Sequence, residues 1–309
     1  MTNISITNAT MRECFTATAS ALLEEDNRIA LLFADIGTDR FAPHIFSQYG
    51  HRVVNAGIRE QTLIGMAAGY ALAGFRPIAH SYAPFLVERA YEQLKLDLNH
   101  QDVGAILVSV GASYDWAAGG YSHHAPADVG LIALLPGWRI YVPGHVDEVQ
   151  AQLRRAAASD ERVYIRLSEA MNGEGFTRQG DAMQVVRADR AAMASVIAVG
   201  PMLGPVLSAA ADLPVNILYT NTVRPFDAAT VQAICRTMDV VLVEPYAQGT
   251  CVAELSEAMS DRPVRIHAIG VPREELRQYG ERAEHDAAHG LDAAGLHRRL
   301  AAVCYGVGA

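Results

Sequence analysis

The chain has 309 residues, half of them hydrophobic, enough to bury the cores of two domains. Its formal net charge is −9 and it carries no Lys/Arg cluster, which argues against nucleic acid as a partner. No apolar run approaches the roughly 18 residues of a membrane span, the opening MTNISITNATMRECF lacks the basic start and apolar run of a signal peptide, and Cys14, Cys235, Cys251 and Cys304 form no Cys-x-x-Cys pair that would suggest zinc or a disulfide framework. The expectation is a soluble cytoplasmic protein with no metal site of its own.

Short apolar runs alternate with helix-like segments along the whole chain. Ile29–Ala34 reads as a buried strand, Glu60–Leu72 as a helix rich in small residues, and Ile78–Ala79 as a short strand after an Arg-Pro step. Phe85–Leu98 has helical spacing and Ala105–Val110 is a second buried strand. Arg139–Val142 (strand), Val146–Ala157 (helix) and Val163–Leu167 (strand) continue the alternation. Continuously apolar strands between helices predict a parallel sheet covered on both faces.

The pattern lapses after Ser168, where MNGEGFTRQGD is polar and glycine-rich, and 171–192 reads as a linker. A second alternation follows. Strands are expected at Ser195–Val199, Val215–Tyr219, Val240–Val243 and Val264–Ala268, and helices at Leu203–Ala211, Ala228–Thr237 and Val252–Met259. The alanine-rich tail from Glu274 to Val303 reads as helical. The fold class is α/β, with two consecutive three-layer domains at 1–170 and 193–309.

Three common signatures of such proteins are missing. There is no Gly-x-Gly-x-x-Gly turn, no phosphate loop ending in Gly-Lys-Ser/Thr and no Gly-x-Ser-x-Gly elbow. Either a cofactor is held differently or another chain holds part of it.

Three clusters carry candidate chemistry. In Asn55-Ala-Gly-Ile-Arg-Glu60-Gln61, an acid sits where a strand end meets a helix start. By itself such an acid reads as an ordinary first-turn carboxylate, stabilised by the helix dipole. In Ser81-Tyr82-Ala-Pro-Phe85, two aromatics flank a proline that cannot continue a strand. They could clamp a flat ring or simply belong to the core. In Gly119-Gly-Tyr-Ser122-His123-His124, adjacent histidines end a polar loop that follows a strand. Ligands of open α/β sheets bind at such places, although two histidines alone do not make a metal site.

Together the clusters resemble the transketolase family, which includes transketolase, deoxyxylulose-phosphate synthase and the beta chains of 2-oxoacid dehydrogenases. The similarity rests on NAGIREQTLIGMAAGYALAG, SYAPFLVERAYEQLKLDL, GGYSHHAPADVGLIALLPGWRIYVPGHVDE and VLVEPYAQGT, in that order. It implies a pyrimidine-binding domain followed by a smaller domain of the transketolase C-terminal type. It further implies that Glu60 hydrogen-bonds the pyrimidine ring nitrogen of thiamine diphosphate and favours its imino tautomer. The same resemblance gives Asp35 a place near the thiazolium and makes Phe85 the ring-stacking residue, with Tyr82, Ile58 and Glu88 as neighbouring cofactor contacts. His123, with Ser122 and Glu169, is assigned to substrate. The family's diphosphate- and Mg²⁺-binding domain carries a Gly-Asp-Gly motif followed by Asn, and no such motif occurs here. The chain therefore reads as one half of a split enzyme, active only with an N-terminal-type partner subunit and assembling as an α2β2 heterotetramer. The reaction implied is transfer of a two-carbon ketol unit from a small-molecule donor to an aldehyde acceptor. The alternatives are a 2-oxoacid dehydrogenase beta-like subunit, a deoxyxylulose-phosphate-synthase-like subunit, or a non-catalytic, partner-binding homologue.

Several positions depart from the family pattern. Gly111 and Gly119 stand where transketolases usually carry a sugar-binding histidine and aspartate, Glu169 stands where sugar-phosphate enzymes often have an arginine, and Tyr246 replaces a frequent histidine. A carboxylate at 169 offers no bidentate clamp for a phosphate. The acceptor implied is less hydroxylated, unphosphorylated or cationic, as in specialised metabolism.

Overall fold

The computed structural model describes residues 9–177 and 180–306. Arg178 and Gln179 of the expected linker, and residues 1–8 and 307–309, lie outside them.

The first sheet has seven strands: β1 (Ile29–Phe33), β2 (Val53–Asn55), β3 (Arg76–Tyr82), β4 (Ile106–Val110), β5 (Trp138–Tyr141), β6 (Arg162–Arg166) and β10 (Thr222–Arg224). Their order is β10-β5-β6-β4-β3-β1-β2, and only β10 runs antiparallel. Every residue of β1 and β4 is buried, because both faces are covered, and this is why these strands read as unbroken apolar runs. Successive side chains serve opposite faces. Leu31, Phe33, Ile106 and Val108 meet helices Met11–Glu25 and Val146–Ala157. Leu32, Ala79 and Leu107 meet helix Glu60–Leu72 and the helical stretch 84–100.

The second sheet comprises β7 (Gln184–Arg187), β8 (Ala194–Val199), β9 (Val215–Thr220), β11 (Asp239–Ala247) and β12 (Arg265–Val271) in the order β12-β11-β8-β9-β7. Helices Leu203–Ala209 and Ala293–Tyr305 cover one face, and Ala228–Ile234 and Val252–Ala258 the other. One buried apolar cluster runs without a break from Leu32 and Leu63 in the first half to Leu242 and Leu255 in the second.

The structure differs from the sequence expectation in four places. Helix Met11–Glu25 is additional, and Thr10 and Glu13 form a capping box at its start. The stretch read as linker contains β7, which extends the second sheet as an antiparallel edge. The short strand β10 leaves the second half and pairs with β5 of the first, a connection no local pattern encodes. The tail is helical only over Arg282–His289 and Ala293–Tyr305, while 274–281 runs irregularly across the first half.

Candidate functional site

The carboxyl ends of β1, β2, β3, β4 and β6 point the same way, and these ends and the segments leaving them carry the candidate cofactor and substrate residues, while Tyr246 lies in β11 of the second sheet. This is where open parallel sheets present ligand sites.

Asp35 follows β1 in a left-handed conformation (φ +69°). Its N–H donates to Asn55 Oδ1 at 2.9 Å and its carboxylate accepts from Asn55 Nδ2 at 3.3 Å, so the ends of β1 and β2 are tied together. Asn55 Oδ1 also accepts from Gly57 N–H at 2.9 Å, shaping the turn that delivers the next helix. Ile58 projects from that turn and is 71% exposed.

Glu60 opens helix Glu60–Leu72 and is 1% exposed. Its Oε2 accepts from Arg89 Nη1 at 2.7 Å, and its Oε1 is buried with no hydrogen-bond partner among the described residues. A buried carboxylate oxygen without a donor is costly, and natural proteins keep such atoms at working sites. The guanidinium of Arg89 also lies 4.2 Å from the centre of the Phe85 ring. The resemblance names Glu88 as a cofactor contact and does not mention its neighbour Arg89, whose pairing with Glu60 comes from the fold of the 84–100 segment against helix Glu60–Leu72.

Glu88 belongs to a different environment. The residue as a whole is exposed, yet the protein around it is close enough to desolvate its carboxyl. Desolvation, and then the nearby Asp128 carboxylate, push it up to about 7. Asp128 itself is fully buried and accepts from Arg166 Nε and Tyr164 OH, both at 2.7 Å.

Three aromatic rings from two chain segments converge on one imidazole. His123 lies 4.4 Å from Trp116, 5.1 Å from Phe85 and 6.0 Å from Tyr82, edge to face with each. Tyr82 and Trp116 stack on each other at 5.7 Å. Ser122 Oγ sits 3.0 Å from His123 Nδ1 and fixes the orientation of the ring. Trp116 is not among the residues the sequence pattern singles out. An aromatic in a polar loop is the signal that could have found it.

Behind this cluster lies a cavity of about 330 Å³, lined among others by Arg12, Arg40, Tyr82, Gly111, Asp115, Trp116 and Glu169. Arg12 comes from the additional helix Met11–Glu25, and with Arg40 it adds two guanidiniums to the lining that Glu169 shares. Burial and the Asp115 carboxylate hold Glu169 above its usual range, while Arg282 and Arg12 oppose that shift. Arg282, from the far end of the chain, bonds both Asp115 and Ser168 Oγ (the latter at 2.8 Å) and so clamps two walls of the cavity. Among the described residues, no group of three or more His, Cys, Asp or Glu could hold a metal ion, and no helix is long and apolar enough to cross a membrane.

Residues 7–173 match the transketolase pyrimidine-binding domain family, and the chain belongs to the transketolase family. It is 43% identical over 301 residues to an uncharacterised 33.6 kDa protein in the fasciation locus of Rhodococcoides fascians, covering 96% of this chain and 95% of that one. It is 29% identical over 272 residues to one of the subunits of apulose-4-phosphate transketolase from Actinobacillus succinogenes, covering 83% of this chain and 86% of that one. Its fold matches a split-gene transketolase solved as an inactive beta4 tetramer, with a TM-score of 0.81 at 24% identity, covering 96% of this chain and 98% of that one.

Proposed function

We propose that this chain is the pyrimidine-side subunit of a split, transketolase-like transferase that moves a two-carbon ketol unit from a donor to an aldehyde acceptor. The observation that carries the reading is Glu60. It is buried, held by Arg89 through one oxygen, and offers the other oxygen to nothing among the described residues. A ring nitrogen of an aminopyrimidine suits that bare oxygen in hydrogen-bonding terms, and Phe85 beside it supplies an apolar ring face.

Thiamine diphosphate, when bound, supplies the carbanion-stabilising chemistry, and the protein's part is to orient and tune it. Glu60 would hydrogen-bond the pyrimidine ring nitrogen through its bare Oε1. Arg89 holds the Glu60 carboxylate in place and is itself braced on Phe85. His123, fixed through Ser122, presents its free nitrogen to substrate oxygen and can hold or pass a proton there. Asp35 and Ile58 line the cofactor's side of the strand ends, with Tyr82 as a neighbouring wall, and Glu169 faces substrate. Glu88 is a further cofactor-side contact on the same segment as Phe85.

The diphosphate and Mg²⁺ are assigned to a partner subunit. Two observations favour this: a relative of matching length is named as one subunit of a transketolase, and large apolar side chains are left exposed here, Ile58 at 71% and Leu72 at 65%. We place the domains at 1–170 and 193–309, the assembly at α2β2 and the compartment in the cytoplasm.

The test is reconstitution. With a partner carrying the diphosphate-binding domain, the complex should reduce ferricyanide when given hydroxypyruvate, an assay of the donor half-reaction that needs no acceptor. The Glu60→Gln complex should not. Full turnover in that variant would sink the reading, and tight Mg²⁺-dependent cofactor binding by this chain alone, measured by calorimetry, would sink its split form.

A further inference from the structure

The loop after β4 has a closed neck and a long head. Ala125 N–H donates to Ser113 O at 2.8 Å, and the head between these two residues carries Trp116, Ser122 and His123. The second half of the chain holds both parts. At the neck, Ser113 Oγ donates to Pro245 O at 2.6 Å and Ala247 N–H donates to Pro126 O at 2.7 Å, and both Pro245 and Ala247 belong to β11. At the head, Tyr114 OH donates to Asp286 Oδ1 at 2.7 Å and Asp115 accepts from Arg282. The ring of Tyr279 fills the space beside Gly120 (φ +70°), where its Cζ would lie 2.9 Å from an added Cβ.

Between these contacts sit His124 of the loop and His285 of helix Arg282–His289. Each is 2% exposed, and their ring centres lie 5.4 Å apart at 81°. All four of their ring nitrogens are buried with no hydrogen-bond partner among the described residues. Tyr114 stacks on His285 at 4.7 Å, and His289 lies 5.8 Å from it with its Nε2 likewise unpartnered. Unpartnered buried polar atoms are costly, and apolar rings of the same shape would fill this joint without that cost. What imidazoles add is the capacity to take up a proton.

The charged and titratable groups around the pair are Tyr114, Asp115 and His123 from the loop, Arg282, Asp286 and His289 from the helix, and Glu274 from the irregular 274–281 segment. Asp286 is engaged by Tyr114 and Arg282, and Asp115 by Arg282 and two backbone N–H groups, so a proton taken up here finds its nearest carboxylates occupied. Burial holds His124 and His289 below the ordinary histidine range, and His285 beside each adds to the shift. The Ala117 and Leu276 carbonyls oppose it at His124, and Glu274 and Asp286 at His289. The docked loop therefore binds fewer protons than a released one, and falling pH favours release.

We infer that His285 is a positioning residue for His123: through His124 it holds the substrate loop against the second half of the chain, and the hold weakens when the His124–His285 pair is charged. The link to substrate rests on the ketol-transfer reading of His123, whereas the hold itself does not.

Trp116 reports the hold without any catalysis. It is 43% exposed in the head of the loop, while Trp138, the other tryptophan, is 4% exposed, so acrylamide quenching of the full chain reads Trp116. In the wild type the quenching constant should rise about twofold or more from about pH 7.5 to about pH 5.5, the range over which an imidazole charges. His285→Ala should show the raised value at both ends. The double variant His124→Phe/His285→Phe keeps both rings, cannot charge, and should show the low value at both. In the reconstituted complex at about pH 7.5, the KM for hydroxypyruvate in the ferricyanide assay should rise about fivefold or more in His285→Ala and return in the double variant, with kcat changing less, whereas a mere loss of folded molecules lowers kcat and leaves KM alone. A double variant with the wild-type pH dependence, or a His285→Ala protein with wild-type quenching or wild-type KM, overturns the inference. A wild-type complex without donor half-reaction refutes the ketol-transfer reading instead, and the quenching result then decides this inference by itself.

Discussion

Two buried glutamates, one at the strand ends of each sheet, show how differently the two halves are finished. Glu60 and Glu244 are 1% and 0% exposed. Glu244 lies in β11 and takes N–H groups from Gly249, Thr250 and Cys251 at 2.7, 3.2 and 2.9 Å, closing the turn before helix Val252–Ala258. All of its hydrogen bonds are spent inside the chain. Glu60 has one donor, Arg89, and one bare oxygen. A carboxylate saturated by backbone holds a fold together, whereas one left half-satisfied in the same degree of burial is held ready for something else.

The sharpest test of that contrast is Glu60→Gln. Donor half-reaction turnover in the assembled complex should fall by roughly 10²–10⁴-fold, the usual range for a positioned acid or base. Urea midpoints of the variant should move little. A large loss of stability with turnover intact would make Glu60 a second Glu244.

Glu244→Gln should do the reverse, acting on stability. Burial raises Glu244 from 4.5 to about 7, although its three N–H donors pull the other way. The folded state therefore holds a proton that the unfolded chain releases. The stabilisation is complete below about pH 4.5 and is lost as pH rises through 7, on the order of 3 kcal/mol in all. The variant's urea midpoint should lack this fall with pH. An identical slope in both proteins would show that Glu244 does not titrate as described.

A smaller effect is expected at Arg89. Arg89→Met leaves Glu60 buried without its only donor, and removing one partner of a buried charge pair costs about 3–5 kcal/mol when both are enclosed. Arg89 is 39% exposed, so roughly a third of that is expected in unfolding free energy. Arg89→Lys should restore stability more than turnover, since a single ammonium cannot also lie flat on Phe85.

The smallest effect joins the two halves. Arg282→Met removes the clamp on Asp115 and Ser168, and should raise acceptor KM several-fold while kcat for the donor half-reaction changes less. Equal losses in both would assign Arg282 to overall stability instead.

Much of this molecule is legible in its sequence. Helices Glu60–Leu72 and Val146–Ala157 fall at the expected bounds, and β1, β4, β5, β6, β8 and β9 fall within a residue of them, because continuous burial writes itself as apolar runs, whereas β3, β11 and β12 run three or four residues further at their ends. The edges are not legible. β7 and β10 are short, half-buried or paired antiparallel to distant strands, so their signal lies in partners far along the chain. Helix Met11–Glu25 carries its capping box in the sequence, but its buried face mixes Thr18 and Cys14 with alanine and leucine, and the apolar stripe is weak.

The site divides the same way. Glu60, Phe85, Tyr82 and His123 are legible because residue type and order along the chain carry them. That Arg89 meets Glu60, that Trp116 completes the cage, and that Arg12 and Arg282 reach the cavity from opposite ends of the chain are decided only by tertiary packing. Sequence determines which chemistry the chain can offer and which runs must be buried. The meeting of side chains from segments more than a hundred residues apart is set by how the two sheets stack, and no local pattern records that.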